Sequence, residues 1–165
     1  MFRQYDFNEP WDSPNNRKLL ASRPSTYAIH DKKSQTGTYT NYLAVVGNET
    51  VWPFDKSSSL DQIKDSLTST ILVVENHGAD VQWTEPRDLE FRKMNMEIEA
   101  ESPSGISSRF QPPAVVTTDW RVRTLEMELS PETLRALLTA NGGEEIPVDS
   151  NSREIPDGRR RPLKE

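Results

Sequence analysis

The sequence lacks several residues and patterns that common classes of function require. It contains no cysteine, which excludes disulfides, a thiolate nucleophile and a zinc site with cysteine ligands. It has only two histidines, His30 and His77, and neither lies in a pattern typical of a serine-hydrolase nucleophile. No glycine-rich phosphate-binding loop is found, since Gly142 and Gly143 follow a predicted helix instead of preceding one. We therefore expect a protein that is not an enzyme.

Long apolar runs and an excess of positive charge are also missing. No apolar run approaches the roughly 18 residues of a membrane-spanning helix, which predicts no direct membrane insertion of this chain. The net charge is −6 and the isoelectric point is near 5.1, so nucleic acid is not expected as a partner. The basic exception is residues 159–161 with Lys164 near the C-terminus.

Length and composition favour one small domain with many loops. The chain has 165 residues, enough for a single core, and a hydrophobic fraction of 33%. Its 12 prolines exceed its 7 glycines, which favours loops and short strands over a helical bundle. We predict one domain over residues 1–147, followed by a polar, disordered tail over residues 148–165.

The apolar pattern predicts strands around one clear helix. A β-branched run at residues 70–75 indicates a buried strand, and alternation at residues 94–99 indicates a half-exposed one. Residues 38–46 read as a further strand, and residues 114–118 and 121–127 as a β-hairpin that turns at 118–120. Ser130-Pro131 begins a helix over residues 131–140. The predicted fold is α+β, a twisted antiparallel sheet with one main C-terminal helix and long loops.

A cluster of polar side chains follows the central strand. Glu75, His77 and Asp80 are residue types that ligate divalent metals, so they are candidate metal ligands and the basis of an alternative function, a small metal-dependent hydrolase. The competing interpretation is a solvated turn, because charged residues make up 28% of the chain.

The four tryptophans offer a second alternative, a ligand-binding domain in which aromatic side chains line a groove. The competing interpretation is that large aromatic side chains fill a small core. Trp120 lies at the tip of the predicted hairpin, where we expect it to be exposed and available to a partner. The tryptophans are Trp11, Trp52, Trp83 and Trp120.

Several blocks resemble, in the same order, the bacterial prepilin-like (pseudopilin G-type) family whose C-terminal domain of unknown function carries a His-x9-Asp-Gly motif. Members normally begin with a prepilin-type membrane helix, followed by a β-rich head. The blocks are residues 7–16 (FNEPWDSPNN), 40–47 (TNYLAVVG), 59–60 (SL) with Ile63, 68–75 (TSTILVVE), 83–89 (WTEPRDL), 131–138 (PETLRALL) and 142–144 (GGE).

The chain departs from the family pattern at the motif itself. Phe110 stands in place of the histidine, eight residues before Asp119, and Trp120 stands in place of the glycine. A glycine there would supply a positive φ, so Trp120 predicts a different hairpin turn. A cysteine common near Arg23 in the family and the N-terminal membrane helix are also missing from this sequence.

The resemblance implies a non-catalytic structural or interaction module, like the globular head of a type II secretion or type IV pilin-like protein. Its expected partners are other protein subunits. No cofactor is expected, although the heads of some pseudopilins bind calcium and Asp6, Glu9, Asp12 and Asn16 could supply oxygen ligands. Asp12 or Ser13 as a helix cap is the competing interpretation. As written the sequence predicts a cytoplasmic protein, and the cell envelope is the alternative if a prepilin helix precedes it.

Overall fold

The computed structural model of the chain describes residues 2–29, 37–144, 153–154 and 161–162. Two compact units are formed, unit 1 from Met1–Tyr42 and Asp80–Arg87 and unit 2 from Leu43–Ala79 and Asp88–Glu165. His30 and most of the predicted tail lie outside the described residues. The single domain over residues 1–147 stays a prediction.

The strands of the described residues are short. In chain order they are β1 (Tyr42–Leu43), β2 (Val45–Val46), β3 (Ile71–Glu75), β4 (Leu89–Glu90), β5 (Asn95–Glu99), β6 (Gly105–Ser107), β7 (Phe110–Gln111), β8 (Ala114–Thr117), β9 (Val122–Thr124), β10 (Arg153–Glu154) and β11 (Arg161–Pro162).

The main sheet has the strand order β1-β3-β8-β9-β10. The pairs β3–β8, β8–β9 and β9–β10 are all antiparallel, and the other described strands form two-stranded pairs. Together with one main helix near the C-terminal end, this sheet confirms the predicted mixed α+β class.

The predicted buried strand and the predicted hairpin are both present. β3 buries four of its five residues, as its apolar β-branched composition requires. Val116 of β8 pairs with Val73 of β3 on one side and with Val122 of β9 on the other. The hairpin β8–β9 therefore extends the most buried strand of the described sheet outward to the turn at residues 118–120.

The helix α1, Pro131–Leu138, begins and ends close to where its sequence signals place it. The Ser130 hydroxyl caps it by accepting a hydrogen bond from the Thr133 amide at 3.2 Å, and Pro131 occupies the first turn. Its apolar side chains face the core, where Leu134, Leu137 and Leu138 are buried. The helix packs against β3 and β5 and so completes the core of unit 2.

Unit 1 is built from turns and short 3-10 helices, Phe2–Gln4, Asn16–Ser22 and Ser25–Tyr27. The Ser13 hydroxyl accepts a hydrogen bond from the Asn16 amide at 3.0 Å at the start of the second of these helices. Within the same unit, Trp83 donates its indole N–H to the Leu20 carbonyl at 3.0 Å.

The continuous strand predicted over residues 38–46 is wrong, because the chain there is broken into β1 and β2. Polar side chains take over the backbone groups that a ladder would use. Thr40 Oγ1 accepts a hydrogen bond from the Tyr42 amide at 3.1 Å, and the Asp88 carboxylate accepts one from the Ala44 amide at 2.8 Å.

Within the residues that the structure describes, no helix has the length and apolar character needed to cross a bilayer.

Candidate interaction site

The turn of the β8–β9 hairpin is the most unusual backbone feature of unit 2. The Trp120 amide donates to the Thr117 carbonyl at 2.9 Å, and the Thr117 amide donates to the Arg121 carbonyl at 3.0 Å. These bonds close a three-residue loop whose last residue, Trp120, has a φ of 64°. The prediction of a different turn is therefore wrong, since the tryptophan itself adopts the positive φ that a glycine would supply.

This conformation is costly for a tryptophan. The left-handed region brings Cβ close to the neighbouring carbonyl oxygen, which costs roughly 1–2 kcal/mol for an L-residue, and a bulky residue there is a genuine outlier. Such a conformation persists only where the surrounding structure imposes it. The contacts of the loop should therefore account for it.

The side chain of Asp119 holds the loop from inside. Its carboxylate accepts two hydrogen bonds from the Arg123 guanidinium, at 2.7 and 2.8 Å, and one from the Thr117 hydroxyl at 2.5 Å. The Arg123 guanidinium also donates to Thr117 Oγ1, and its side chain is only 8% exposed. The hydrogen bonds from Arg123, followed by the one from Thr117, hold the pKa of Asp119 well below its ordinary value.

The loop is also fastened from outside, to the segment that leads into β3. The Thr118 hydroxyl and the Asp119 amide both donate to the Leu67 carbonyl, at 2.9 and 3.1 Å. The Thr118 amide donates to the Thr70 carbonyl at 2.9 Å. The segment at residues 67–70 and the Asp119–Arg123 pair therefore hold the backbone of the loop through contacts that do not involve the indole of Trp120.

The fixed loop displays an apolar surface to solvent. The side chain of Trp120 is 71% exposed, and Leu67 and Val122 beside the loop are exposed as well. The exposed Arg121 adds a positive charge at the same end of the hairpin. The predicted exposure of Trp120 is confirmed, while its role in binding stays a prediction.

Two of the three candidate metal ligands make local structural hydrogen bonds. Glu75 is fully buried, and its carboxylate accepts a hydrogen bond from the Ala114 amide at 2.9 Å. His77 exchanges two hydrogen bonds of 2.8 Å between its backbone and the Ser107 hydroxyl. Both residues belong to unit 2, whereas Asp80, with a φ of 50°, belongs to unit 1.

Across the described part of the chain, no group of three or more His, Cys, Asp or Glu side chains is arranged to hold a metal ion. The metal site and the hydrolase alternative stay untested predictions.

The candidate calcium ligands of unit 1 are used in local hydrogen bonds. Asp6 Oδ1 accepts from the backbone amide and the side-chain amide of Asn8, at 2.9 and 3.1 Å. Glu9 accepts from the Ser13 hydroxyl at 2.8 Å. Asn16 is completely buried and makes its hydrogen bonds to the backbone of the same loop. The expectation of no cofactor, with a structural calcium as the alternative, stays a prediction.

The tryptophans have different local surroundings. Trp83 packs on Tyr27, with tilted rings whose centroids are 5.6 Å apart, and Trp52 donates its indole N–H to the Leu72 carbonyl at 2.7 Å. Two of the tryptophans are thus tied to the backbone of their own unit, and Trp120 is the most exposed of the four. The ligand-binding alternative stays a prediction.

Sequence reasoning found Trp120 but missed the pair that fixes it. Asp119 and Arg123 are four residues apart across a turn, and in a hairpin with a three-residue loop this spacing brings their side chains together. An acidic residue at the tip of the hairpin, followed by an arginine in the returning strand, could therefore have predicted this ion pair from the sequence.

The fold defines a small α+β protein whose most distinctive site is a rigid hairpin loop with an exposed tryptophan. No known protein family, curated protein or solved structure matches this chain.

Proposed function

We propose that this chain is a non-catalytic protein-interaction module that binds a partner protein through the Trp120 loop, residues 117–123. The supporting observation is that Trp120 is 71% exposed and has a φ of 64°. The left-handed conformation of Trp120 destabilises the fold, and within the described residues no other ring packs on the indole. A strained backbone conformation at a largely exposed aromatic side chain points to a role in binding a partner.

The chemistry of the loop suits such a role. Tryptophan and arginine are the residues that most often dominate the energy of protein–protein interfaces, and here Trp120 and Arg121 are adjacent. Because Asp119 and Arg123 fix the backbone beneath them, a partner would bind a loop that is already ordered. Little conformational entropy would then be lost on binding.

Membership of the prepilin-like family is part of the same proposal, and the sequence blocks support it. A cytoplasmic location is also part of it, with the cell envelope as the alternative, and it is based on the lack of a membrane-spanning stretch in this sequence. A subunit-binding loop agrees with the role that the resemblance implies.

A photo-reactive phenylalanine analogue at position 120, expressed in cells of the native host, tests the proposal. We expect a discrete cross-linked adduct, and we expect added wild-type protein to compete with its formation while the Trp120→Gly variant does not. The control places the same analogue at Phe7, an aromatic residue of unit 1 that is 68% exposed. Equal adducts from both positions, or none from position 120, would refute the proposal.

A further inference from the structure

Asn141 and Gly142 form a dipeptide that is chemically labile in proteins. The two residues lie just beyond the end of α1, and both are exposed. The amide nitrogen of such a glycine can attack the side-chain carbonyl carbon of the preceding asparagine, because glycine has no side chain that hinders the approach. Asn141 is the only asparagine of the sequence that a glycine follows.

Deamidation of this dipeptide would proceed through a cyclic succinimide. The Gly142 nitrogen loses its proton and bonds to Cγ of Asn141, the bond from Cγ to Nδ2 breaks, and ammonia leaves. Water then opens the ring at either of its carbonyl carbons. The product is aspartate, or isoaspartate, in which the main chain runs through the former side chain and is longer by a methylene group.

A segment of unit 2 that is distant in the sequence holds the dipeptide. The Lys64 amide donates a hydrogen bond to Asn141 Oδ1 at 3.0 Å. The Asp65 carboxylate accepts hydrogen bonds from the Gly142 amide at 2.8 Å and from the Gly143 amide at 2.9 Å. Both reacting groups, the side-chain carbonyl and the amide nitrogen, are therefore engaged in hydrogen bonds.

The same segment also binds the main chain just before the dipeptide. The Lys64 and Asp65 amides both donate to the Ala140 carbonyl, at 3.0 and 3.2 Å. We call these contacts of residues 64–65 with residues 140–143 the clasp. The clasp can open without unfolding of the whole chain, since exposed segments open locally.

The closed clasp opposes ring closure. The proton that the Gly142 nitrogen must lose is the one that it donates to Asp65. Its removal would leave a negatively charged nitrogen beside a carboxylate, which like-charge repulsion disfavours. Deamidation of the folded chain should therefore proceed from the open form of the clasp.

We propose that Asn141–Gly142 is a deamidation site whose rate is limited by the clasp, with Asp65 as the residue that restrains the reaction. The modification then prevents the clasp from closing again, because the longer main chain of isoaspartate displaces the Gly142 and Gly143 amides from Asp65. The inference goes beyond the proposed function and does not depend on it, since the clasp and the Trp120 loop share no residue.

Incubation of the purified full chain at neutral pH, followed by peptide mapping with mass spectrometry, tests the inference. Asp65→Ala removes two hydrogen bonds to a charged group, and we expect isoaspartate at position 141 to form at least about tenfold faster than in the wild type. Asp55→Ala removes another exposed carboxylate of unit 2 that lies outside the clasp, and it should react at the wild-type rate. A synthetic peptide of residues 138–144 gives the rate without a clasp.

A second variant tests the chemistry of the reaction. Gly142→Ala should suppress the modification, because a side chain hinders the attacking nitrogen. The fold should tolerate this change, since the atoms closest to the added methyl group belong to the flexible Glu144 side chain. Modification of Gly142→Ala at the wild-type rate would exclude the succinimide route and overturn the inference.

The rates at the other asparagines separate a restraint by Asp65 from a general loss of structure. In Asp65→Ala the increase should be confined to position 141, while the buried Asn41 and Asn76 stay unmodified. A wild type that reacts as fast as the peptide, or an Asp65→Ala variant that reacts as slowly as the wild type, would overturn the inference. Hydrogen exchange at the Gly143 amide should be faster in the isoaspartate form, and unchanged exchange would show that the modification does not open the clasp.

Discussion

Two polar loops of this molecule each display an exposed aromatic side chain, and they are built in different ways. The N-terminal loop of unit 1 carries Phe7, and the hairpin loop of unit 2 carries Trp120. The exposed fractions are nearly the same, 68% and 71%. Exposure alone therefore does not distinguish a binding residue from an ordinary surface aromatic.

The difference lies in what holds each loop and what each ring contacts. The N-terminal loop is organised by a neutral side chain, the buried amide of Asn16, and Phe7 packs on Tyr5 with centroids 4.9 Å apart. The hairpin loop is held by the Asp119–Arg123 ion pair, and Trp120 takes the left-handed conformation. The first loop packs its aromatic ring on a neighbouring ring, whereas Trp120 makes no ring contact within the described residues.

The largest expected effect of a single change is the loss of the Asn16 amide. Its Oδ1 accepts from the Asp6 amide at 2.9 Å, and its Nδ2 donates to the carbonyls of Asp6 and Pro10, at 2.9 and 3.0 Å. Asn16→Ala removes the side-chain acceptor of the Asp6 amide and one donor to each carbonyl, which the Glu9 and Ser13 amides still contact, and the loss of these three hydrogen bonds should cost about 3 kcal/mol of local stability. Hydrogen exchange at the Asp6 amide measures the loss.

The neighbouring asparagine supplies the control. Asn15 is exposed and its side chain makes one long contact, 3.4 Å, with Lys18, so Asn15→Ala should leave the exchange of the Asp6 amide within about 0.5 kcal/mol of the wild type. Equal effects of the two substitutions would show that the buried amide does not organise this loop.

A smaller effect is expected from breaking the ion pair of the hairpin. Asp119→Asn keeps the shape of the side chain but removes the charge that accepts two hydrogen bonds from Arg123. Hydrogen bonds to charged groups contribute roughly 1.5–3 kcal/mol, and we expect a loss of about 2 kcal/mol in denaturant unfolding at pH 7. The exposed pair Glu90–Lys93 is the control, and Lys93→Met should change stability by less than about 0.5 kcal/mol.

The pH dependence of that difference tests its origin. The folded-state pKa of Asp119 is lowered, chiefly by Arg123, so the unfolded chain takes up the proton first as the pH falls. The stabilisation is complete above the unfolded pKa of about 4 and is lost as the pH falls through the folded pKa. The gap between wild type and Asp119→Asn should therefore be constant from pH 7 to about pH 5 and shrink below about pH 4. A gap that persists unchanged at pH 2.5 would argue against a charge effect.

Local sequence patterns predicted the secondary-structure elements, whereas the side-chain networks depend on residues that lie apart in the sequence. The buried strand, the hairpin and the helix at Pro131 follow from periodicity and caps that lie within a few residues. The Asn16 network joins side chain and backbone groups up to 10 residues apart in a segment without periodicity. The clasp joins residues 64–65 to residues 140–143, and nothing in either segment identifies the other. The turn prediction failed because it considered the missing glycine alone and not the Asp119–Arg123 pair that the spacing of these residues allows.

The smallest expected effect has the opposite sign in the two loops. Trp120→Gly relieves a left-handed conformation that costs roughly 1–2 kcal/mol, and it removes little packing because most of the indole is exposed. The greater freedom of glycine in the unfolded chain offsets about 0.5–1 kcal/mol of this gain. We expect the variant to be more stable than the wild type by about 0.5 kcal/mol in denaturant unfolding, although it should no longer bind.

The same substitution at Phe7 should be destabilising, because Phe7 has no positive φ to relieve and loses its contact with Tyr5. Stability gained together with binding lost is the pattern of a residue kept for function at the expense of the fold. If Trp120→Gly is instead less stable than the wild type, the indole contributes to folding, and Trp120 becomes an ordinary surface aromatic like Phe7. The sign of the stability change caused by Trp120→Gly therefore decides whether the Trp120 loop has a binding function that the Phe7 loop lacks, or differs from it only in structure.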